Sequence, residues 1–459
     1  MPSDSLVFSI FKIALSMLKK WFGPFTKAEF RRYLMLGITF AFVIGIYWTM
    51  RVLKDSIFGS VVVGQNRELL AYAKIVSMLL LFPVIAVYSK LLHRFQRAHM
   101  IYFMMAVYAS LLVFWGIFFS LPGVGLANTV ASPWRISGWL WYTFVESWGS
   151  LVVALFWAFV ADISDAKSAR YGFPLIVLIG QLGGIAGPFL VKVPKYFKFT
   201  SSAPLIFILA ALVVMTALLV VWFMAVTPKE ELSGFSGAHT AKADEEEPGF
   251  LEGLRLLLSK RYLLGIFAII SFFEIIATFI DFNFKNMVFA TFDTEMARSA
   301  YLGGWASTIN TVSLICILLG VNNIQRWLGV RAALAILPCI IGGIVLAFNT
   351  FYVIDVLYWL MIGAKAINYA LNGPTMKQLY VPTSKDVKYK AQAWIETFGS
   401  RCAKASSSGM NALTKALGLP LYLAVIFYTS MGLLAFWVLI GLYLGKQYNQ
   451  AIKENRVVC

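Results

Sequence analysis

The 459-residue chain is 60% hydrophobic and 13% charged, with mean hydropathy +0.76 and a net charge of +17. Soluble domains carry about 25% charged residues, so this composition excludes a water-soluble globular protein and makes the bilayer its solvent. Four cysteines without paired spacing (Cys316, Cys339, Cys402, Cys459) and three scattered histidines argue against a disulfide framework, a metal site or a haem centre.

The first residues, MPSDSLVFSIFKIALSMLKKWFGPF, carry an apolar stripe with Lys12, Lys19 and Lys20. They read as an interfacial amphipathic helix within a cytoplasmic N-terminal segment, 1–32. A basic start and a small-residue cleavage site are missing, so a signal peptide does not fit. A plastid transit peptide fits less well, because the extension is short and poor in arginine.

About twelve apolar runs follow, each close to the roughly 20 residues that a membrane helix needs. Barrel-type alternation is absent, which leaves helices as the spanning structure. Run one, 33–53, ends in YWTMRVLKDSIFG, where Arg51 and Lys54 are three apart and share a helix face. Runs two and three cover 69–92 and 100–121. Run four, 138–161, holds Glu146 with Gly149 and Ser150 on its face. Run five, 173–192, contains IGQLGGIAGP, whose pairs Gly180/Gly184 and Gly183/Gly187 read as a packing seam before Pro188. Run six, 203–226, leads into the connection 227–262, whose acidic AKADEEEPG marks a linker.

Run seven, 263–284, has Glu274 at mid-span and, near its far end, Asp281 and Lys285 in i, i+4 order. Runs eight and nine cover 301–321 and 332–352. Run ten, 355–379, has Lys365 at mid-span and closes on Lys377. Run eleven, 392–414, carries Arg401 about 15 Å inside, near the bilayer centre, and Lys404 one turn further on the same face. Ser406, Ser407, Ser408 and Gly409 follow and permit close helix contact. Run twelve, 419–445, precedes the tail 446–459.

Of the 39 Lys and Arg, more than twice as many fall on the side of both termini as on the other. The positive-inside rule therefore places both termini in the cytoplasm. The expected fold is an all-α membrane protein of two six-helix halves, 33–226 and 263–445, major-facilitator-like, joined by a cytoplasmic linker. Such a layout suggests a transporter with its site between the halves. No P-loop or catalytic motif appears, so neither an enzyme nor a cofactor is implied.

Charges within the runs give the site its chemistry. A Lys or Arg at the bilayer centre costs about 2.5–3.5 kcal/mol on insertion scales. Arg401 and Lys404 on one face thus need a watery cavity and an anion, or else a structural ion pair with Glu274 or Glu146. Glu274 is equally placed as a counter-ion of Lys365. Arg51, about 27 Å from the start of run one, and Lys54 either snorkel to the outer headgroups, with Asp55 as a local partner, or line an anion path. The cations Arg51, Lys54, Lys365, Lys377, Arg401 and Lys404 outnumber the acids Glu146, Glu274 and Asp281. Surplus positive charge suits a polyvalent anion such as a phosphorylated metabolite.

Several of these stretches resemble one family, the nucleotide transporters of plastids and of obligate intracellular bacteria such as chlamydiae and rickettsiae, also called ATP/ADP translocases. The family pattern R-D-T-K-D corresponds to Arg51-Val52-Leu53-Lys54-Asp55, and E-x-W-G-S to Glu146, Trp148, Gly149 and Ser150. The late P-T-K-E-M-x-Y-I-P corresponds to PTMKQLYVP, followed by Lys388, Lys390, Gly399, Arg401 and Lys404. The resemblance covers about residues 30 to 445. It implies a major-facilitator-like fold and transport of ATP, ADP, NAD or another nucleotide, by exchange or with protons. It also implies functional roles for Lys54 and Glu146. Two positions depart: Asp281 stands where the family has a glutamate, and Met376 where it has a lysine, with Lys377 one residue later.

The resulting expectation is a nucleotide exchanger in a bacterial inner membrane. Arg51, Lys54, Arg401 and Lys404, with Lys377 and Lys365, would bind phosphate, and Glu146, Asp281 and Glu274 would act as coupling acids. Its partners would be nucleotide and lipid, without nucleic acid, and the protein would be a monomer. The rival readings are proton symport, NAD/ADP exchange, transport of another anionic solute, and a non-transporting partner-binding membrane protein.

Overall fold

The computed structural model describes residues 26–94, 97–164, 166–228, 250–318, 324–384, 387, 391–395 and 399–459. The expected interfacial helix, the acidic linker stretch, Lys388 and Lys390 lie outside the described residues. Among those described, the chain is helical without strands, and ten helices are long and apolar enough to cross a membrane. This follows from the solvent: in lipid, a backbone that bonds within its own helix leaves no costly orphan groups.

The chain opens with α1 (Lys27–Phe58), which runs on into a π turn, Gly59–Val63. A capping box starts it. The Glu29 amide donates to Thr26 Oγ1 at 3.2 Å, and the Thr26 amide donates back to Glu29 Oε2 at 2.8 Å. Then come α2 (Leu69–Arg94), α3 (Arg97–Ser120), α4 (Ile136–Asp162), α5 (Ala166–Ala186) and α6 (Ala203–Val226). The short α7 (Phe250–Ser259) precedes α8 (Arg261–Thr291), α9 (Glu295–Leu318) and α10 (Ile324–Thr350).

Run ten stays helical through a π stretch, and run eleven is described at 391–395 and from 399 onward. Run ten becomes α11 (Ile354–Ile367), a π turn (Asn368–Asn372) and α12 (Gly373–Leu379). Pro374 sits in the first turn of α12, where its missing N–H costs least. Run eleven holds the short turn Gln392–Trp394 and then α13 (Ser400–Ala412), rich in serine and alanine. The long α14 (Leu419–Lys453) ends the helical order.

The described residues fall into two compact units. One contains 26–52, 83–127 and 145–228. In it α3 packs along α6, with Gly116 facing the Phe207 ring. The glycine seam of α5 meets α1: a Cβ on Gly183 or Gly187 would overlap the backbone at Ala41 or Gly45. That is the packing role the small-xxx-small spacing suggests.

The other unit contains Leu53–Phe82, Asn128–Phe144 and 250–459. There α10 packs along α14, where Gly441 admits the Leu334 carbonyl. Helix α8 is its hub, touching α11, α13 and α14. The last turns of α1 meet the first of α4 through Phe58, whose ring centroid is 5.2 Å from both Trp139 and Tyr142.

Candidate functional site

In the second unit, the end of α1, the start of α2 and the far half of α8 bring five charges together. Lys285 Nζ lies 2.8 Å from Asp55 Oδ2 and 3.0 Å from Asp281 Oδ2. Asp281 Oδ2 also accepts from Lys74 Nζ at 2.7 Å. Lys54 Nζ stands 3.7 Å from Asp55 Oδ1 and 4.1 Å from the Tyr142 ring centroid, a cation–π distance. The result is an alternating chain, Lys54–Asp55–Lys285–Asp281–Lys74, with one surplus positive charge.

Burial explains the alternation. Side-chain exposure is 3% for Lys54, 5% for Asp55 and Lys285, and 9% for Asp281, rising to 20% only at Lys74. An isolated ion at such depth carries a desolvation penalty of several kcal/mol, so each charge needs an opposite neighbour. Shared carboxylates let two acids serve three cations. The i, i+4 pair of Asp281 and Lys285 was legible in the sequence; its junction to α1 and α2 was not. Lys54 does not snorkel to a surface, because it is enclosed by Asp55 and Tyr142. Asp55, read as a local partner of Arg51 and Lys54, does stand beside Lys54 but makes its shorter contact with Lys285. Lys74, six residues into α2, was the missed signal: an uncompensated lysine inside an apolar run.

A second pair lies two turns earlier on α8. Glu274 Oε2 is 3.4 Å from Lys404 Nζ, and Ser400 donates to Glu274 Oε1 at 3.1 Å. This joins α8 to α13. It differs from the first cluster in exposure, with Lys404 at 47% and Glu274 at 19%. Glu274 and Asp281 are seven residues apart, within about 20° of one face and about 10 Å along the axis. One stripe of α8 therefore serves both groups.

The other expected residues are distributed as follows. Arg51 belongs to the first unit and is half-buried, its guanidinium donating to Tyr47 Oη at 3.3 Å and lying 5.1 Å from the Trp48 ring. Glu146 is half-buried on α4 in the same unit. Its neighbours fasten α4: Trp148 Nε1 donates to the Val43 carbonyl at 3.3 Å, and the Tyr108 and Ser147 hydroxyls share a hydrogen bond of 2.6 Å. Gly149 leaves room for the Tyr47 ring, which in turn holds Arg51. Arg401 and Lys365 are half-buried on α13 and α11. On α12, Met376 is buried and Lys377 exposed, as the 100° step between adjacent helical residues requires. Lys377 thus points away from the direction of Met376.

The comparisons with known proteins identify the family and the fold. The model of the TLC ATP/ADP transporter family covers residues 10–448. The chain belongs to that family. ADP,ATP carrier protein 4 of Rickettsia conorii is 23% identical, across 96% of this chain and 96% of that protein. ADP,ATP carrier protein 1 of Rickettsia bellii is 24% identical, across 96% and 98%. Among solved structures, the nucleoside transporter NupG aligns with a TM-score of 0.59 at 15% identity, covering 90% of this chain and 99% of that one. The xylose transporter XylE from E. coli aligns at 0.55 and 12% identity, covering 91% and 95%. The fold is thus all-helical, multi-pass and major-facilitator-like, as expected for a TLC-family transporter.

Proposed function

We propose that this TLC-family member exchanges nucleotides across a bacterial inner membrane by alternating access, ATP against ADP. Both termini face the cytoplasm, and the halves 33–226 and 263–445 flank the linker 227–262. The observation that carries the reading is the alternating lysine–aspartate chain at the junction of α1, α2 and α8. A phosphate group offers these lysines the same oxygen ligands as an aspartate, with more charge. Substrate can therefore replace Asp55 and Asp281 at Lys54, Lys285 and Lys74, while Arg401, Lys404 and Lys365 of the same unit gather the remaining phosphate oxygens. Glu274 pairs with Lys404 when substrate is absent; Arg51 and Glu146, in the first unit, keep their proposed roles as a phosphate-binding cation and a coupling acid.

Exchange follows from the same electrostatics. Without substrate, the buried cations stay locked to their acids. Parting them unpaired would expose each to a penalty of several kcal/mol. With a nucleotide bound, the charges remain compensated while the helices rearrange, so reorientation depends on substrate.

One observation favours a second reading. The buried Met376, where the family has a lysine, removes a cation from the phosphate-binding set. That suits a nucleotide of lower charge and supports NAD against ADP.

Uptake of labelled ATP into proteoliposomes, empty or preloaded with ADP, each with and without an inward proton gradient, separates these cases. Exchange predicts uptake only into preloaded vesicles. Gradient-driven uptake into empty vesicles replaces exchange by symport. If ATP fails in every condition, labelled NAD is the next substrate, and failure of both removes both readings.

A further inference from the structure

On the face of α8 opposite the charges lies a neutral hydrogen-bond chain that the transport reading leaves unused. Asn283 is two residues from both Asp281 and Lys285, about 200° round the helix. Its Nδ2 donates to the Phe279 carbonyl at 2.8 Å and to Tyr422 Oη at 3.1 Å. Tyr352 Oη donates to Asn283 Oδ1 at 3.0 Å, and Tyr422 Oη donates to Asn411 Oδ1 at 2.6 Å. A carbonyl only accepts, so the Asn283 amide has one orientation. Tyr422 has one proton, which it gives to Asn411. The chain is therefore directed, from Tyr352 through Asn283 and Tyr422 to Asn411. Asn283, Asn411 and Tyr422 are at most 1% exposed.

Helix α13 thus touches α8 at two chemically different points. Near its start, Ser400 and Lys404 hold Glu274, a contact with one charged end half in water. Seven residues after Lys404, on nearly the same face and about 10 Å further along, Asn411 is held through Tyr422. A phosphate can take Lys404 from Glu274. It has no charge to take from a buried phenol and two amides.

Resting on the exchange reading, we propose that the Asn283–Tyr422–Asn411 chain is the pivot of α13. It holds the C-terminal end of α13 against α8 while the Lys404 end opens to substrate phosphate. Asn283, Tyr422 and Asn411 are positioning residues, and none of them touches the nucleotide.

The test uses the full chain with Tyr422→Phe, which deletes one oxygen and keeps the ring, and Tyr352→Phe as a milder second variant. Two readouts are taken from one preparation. Hydrogen exchange of the segment 400–412 tests the pivot without reference to any substrate. It is expected to quicken about tenfold in Tyr422→Phe, equivalent to 1.4 kcal/mol, and less in Tyr352→Phe, with α6 unchanged. Nucleotide exchange in proteoliposomes is expected to lose kcat about fivefold with KM unchanged, and Asn411→Leu added to Tyr422→Phe to give no further loss. Unaltered protection of 400–412 in both variants overturns the pivot. So do multiplying losses in the double variant. If the unsubstituted protein exchanges no nucleotide while 400–412 still responds, the pivot stands and the nucleotide reading falls.

Discussion

The two charge clusters on α8 share a stripe of one helix and differ in nearly everything else. At Asp281 and Lys285, five groups from three helices are sealed, and every member has an opposite charge beside it. At Glu274, one carboxylate meets one half-exposed lysine and a serine hydroxyl. Burial sets the difference. In a medium of low effective dielectric a charge interacts strongly with its neighbours and tolerates no vacancy; near water it is screened and replaceable. In the proposed exchange, the sealed cluster acts as a lock broken only by a ligand of comparable charge, and the open pair as a contact that substrate displaces at little cost.

The comparison is broken most severely at its central lysine. Lys285→Met takes from Asp55 its short contact and from Asp281 one of two, leaving them Lys54 and Lys74, and is expected to lower stability by about 3 kcal/mol, seen as a large fall in unfolding temperature in detergent, with uptake lost. A variant that unfolds and transports like the parent would show that the five charges are not a coupled lock.

Next in size are Lys54→Gln and Arg401→Gln. Each is expected to reduce exchange by about tenfold or more, a loss of roughly 1.4 kcal/mol or above. Near-normal uptake by both would sink the phosphate-binding assignment. Stability should respond less than at Lys285, since Asp55 keeps its short contact when Lys54 is removed.

Glu274→Gln sharpens the contrast from the other side. The pair is partly solvated, so its removal is expected to change stability by no more than about 1 kcal/mol. The apparent KM should shift because Lys404 loses its competitor. Raising ionic strength should mimic this at Glu274 while leaving the sealed cluster intact. Equal salt sensitivity of Glu274→Gln and the parent protein would contradict it.

The smallest effect belongs to Lys377→Gln. Exposed and turned away from Met376, this lysine is expected to alter stability by less than about 0.5 kcal/mol and to leave KM near the parent value. A several-fold rise in KM would restore Lys377 to the phosphate site.

Legibility followed the range of the interactions. The Asp281–Lys285 pair could be read because its partners are one helical turn apart. The reading of Gly183 and Gly187 as a seam could be made because small residues at that spacing admit a close neighbour whatever it is. Asp55–Lys285 and Lys74–Asp281 were beyond reach, since 230 and 207 residues separate the partners and no local periodicity encodes which helices meet. Run ten could be read as a continuous helical span from its apolar length, but the π stretch at Asn368–Asn372 within it could not, because it depends on the helices packed around it.

By itself the amino-acid sequence determined the solvent, the helical class, the approximate spans, the surplus of intramembrane cations and the motifs that tie the chain to the TLC family. These are properties of composition and of short spacing. Only the tertiary structure decided that Asp55 and Lys285 are partners, that Lys74 completes their chain, and that Lys404 reaches Glu274. The physical reason is common to all three. A buried charge is satisfied by whichever opposite charge lies within about 4 Å, and helix packing, not sequence distance, chooses that neighbour.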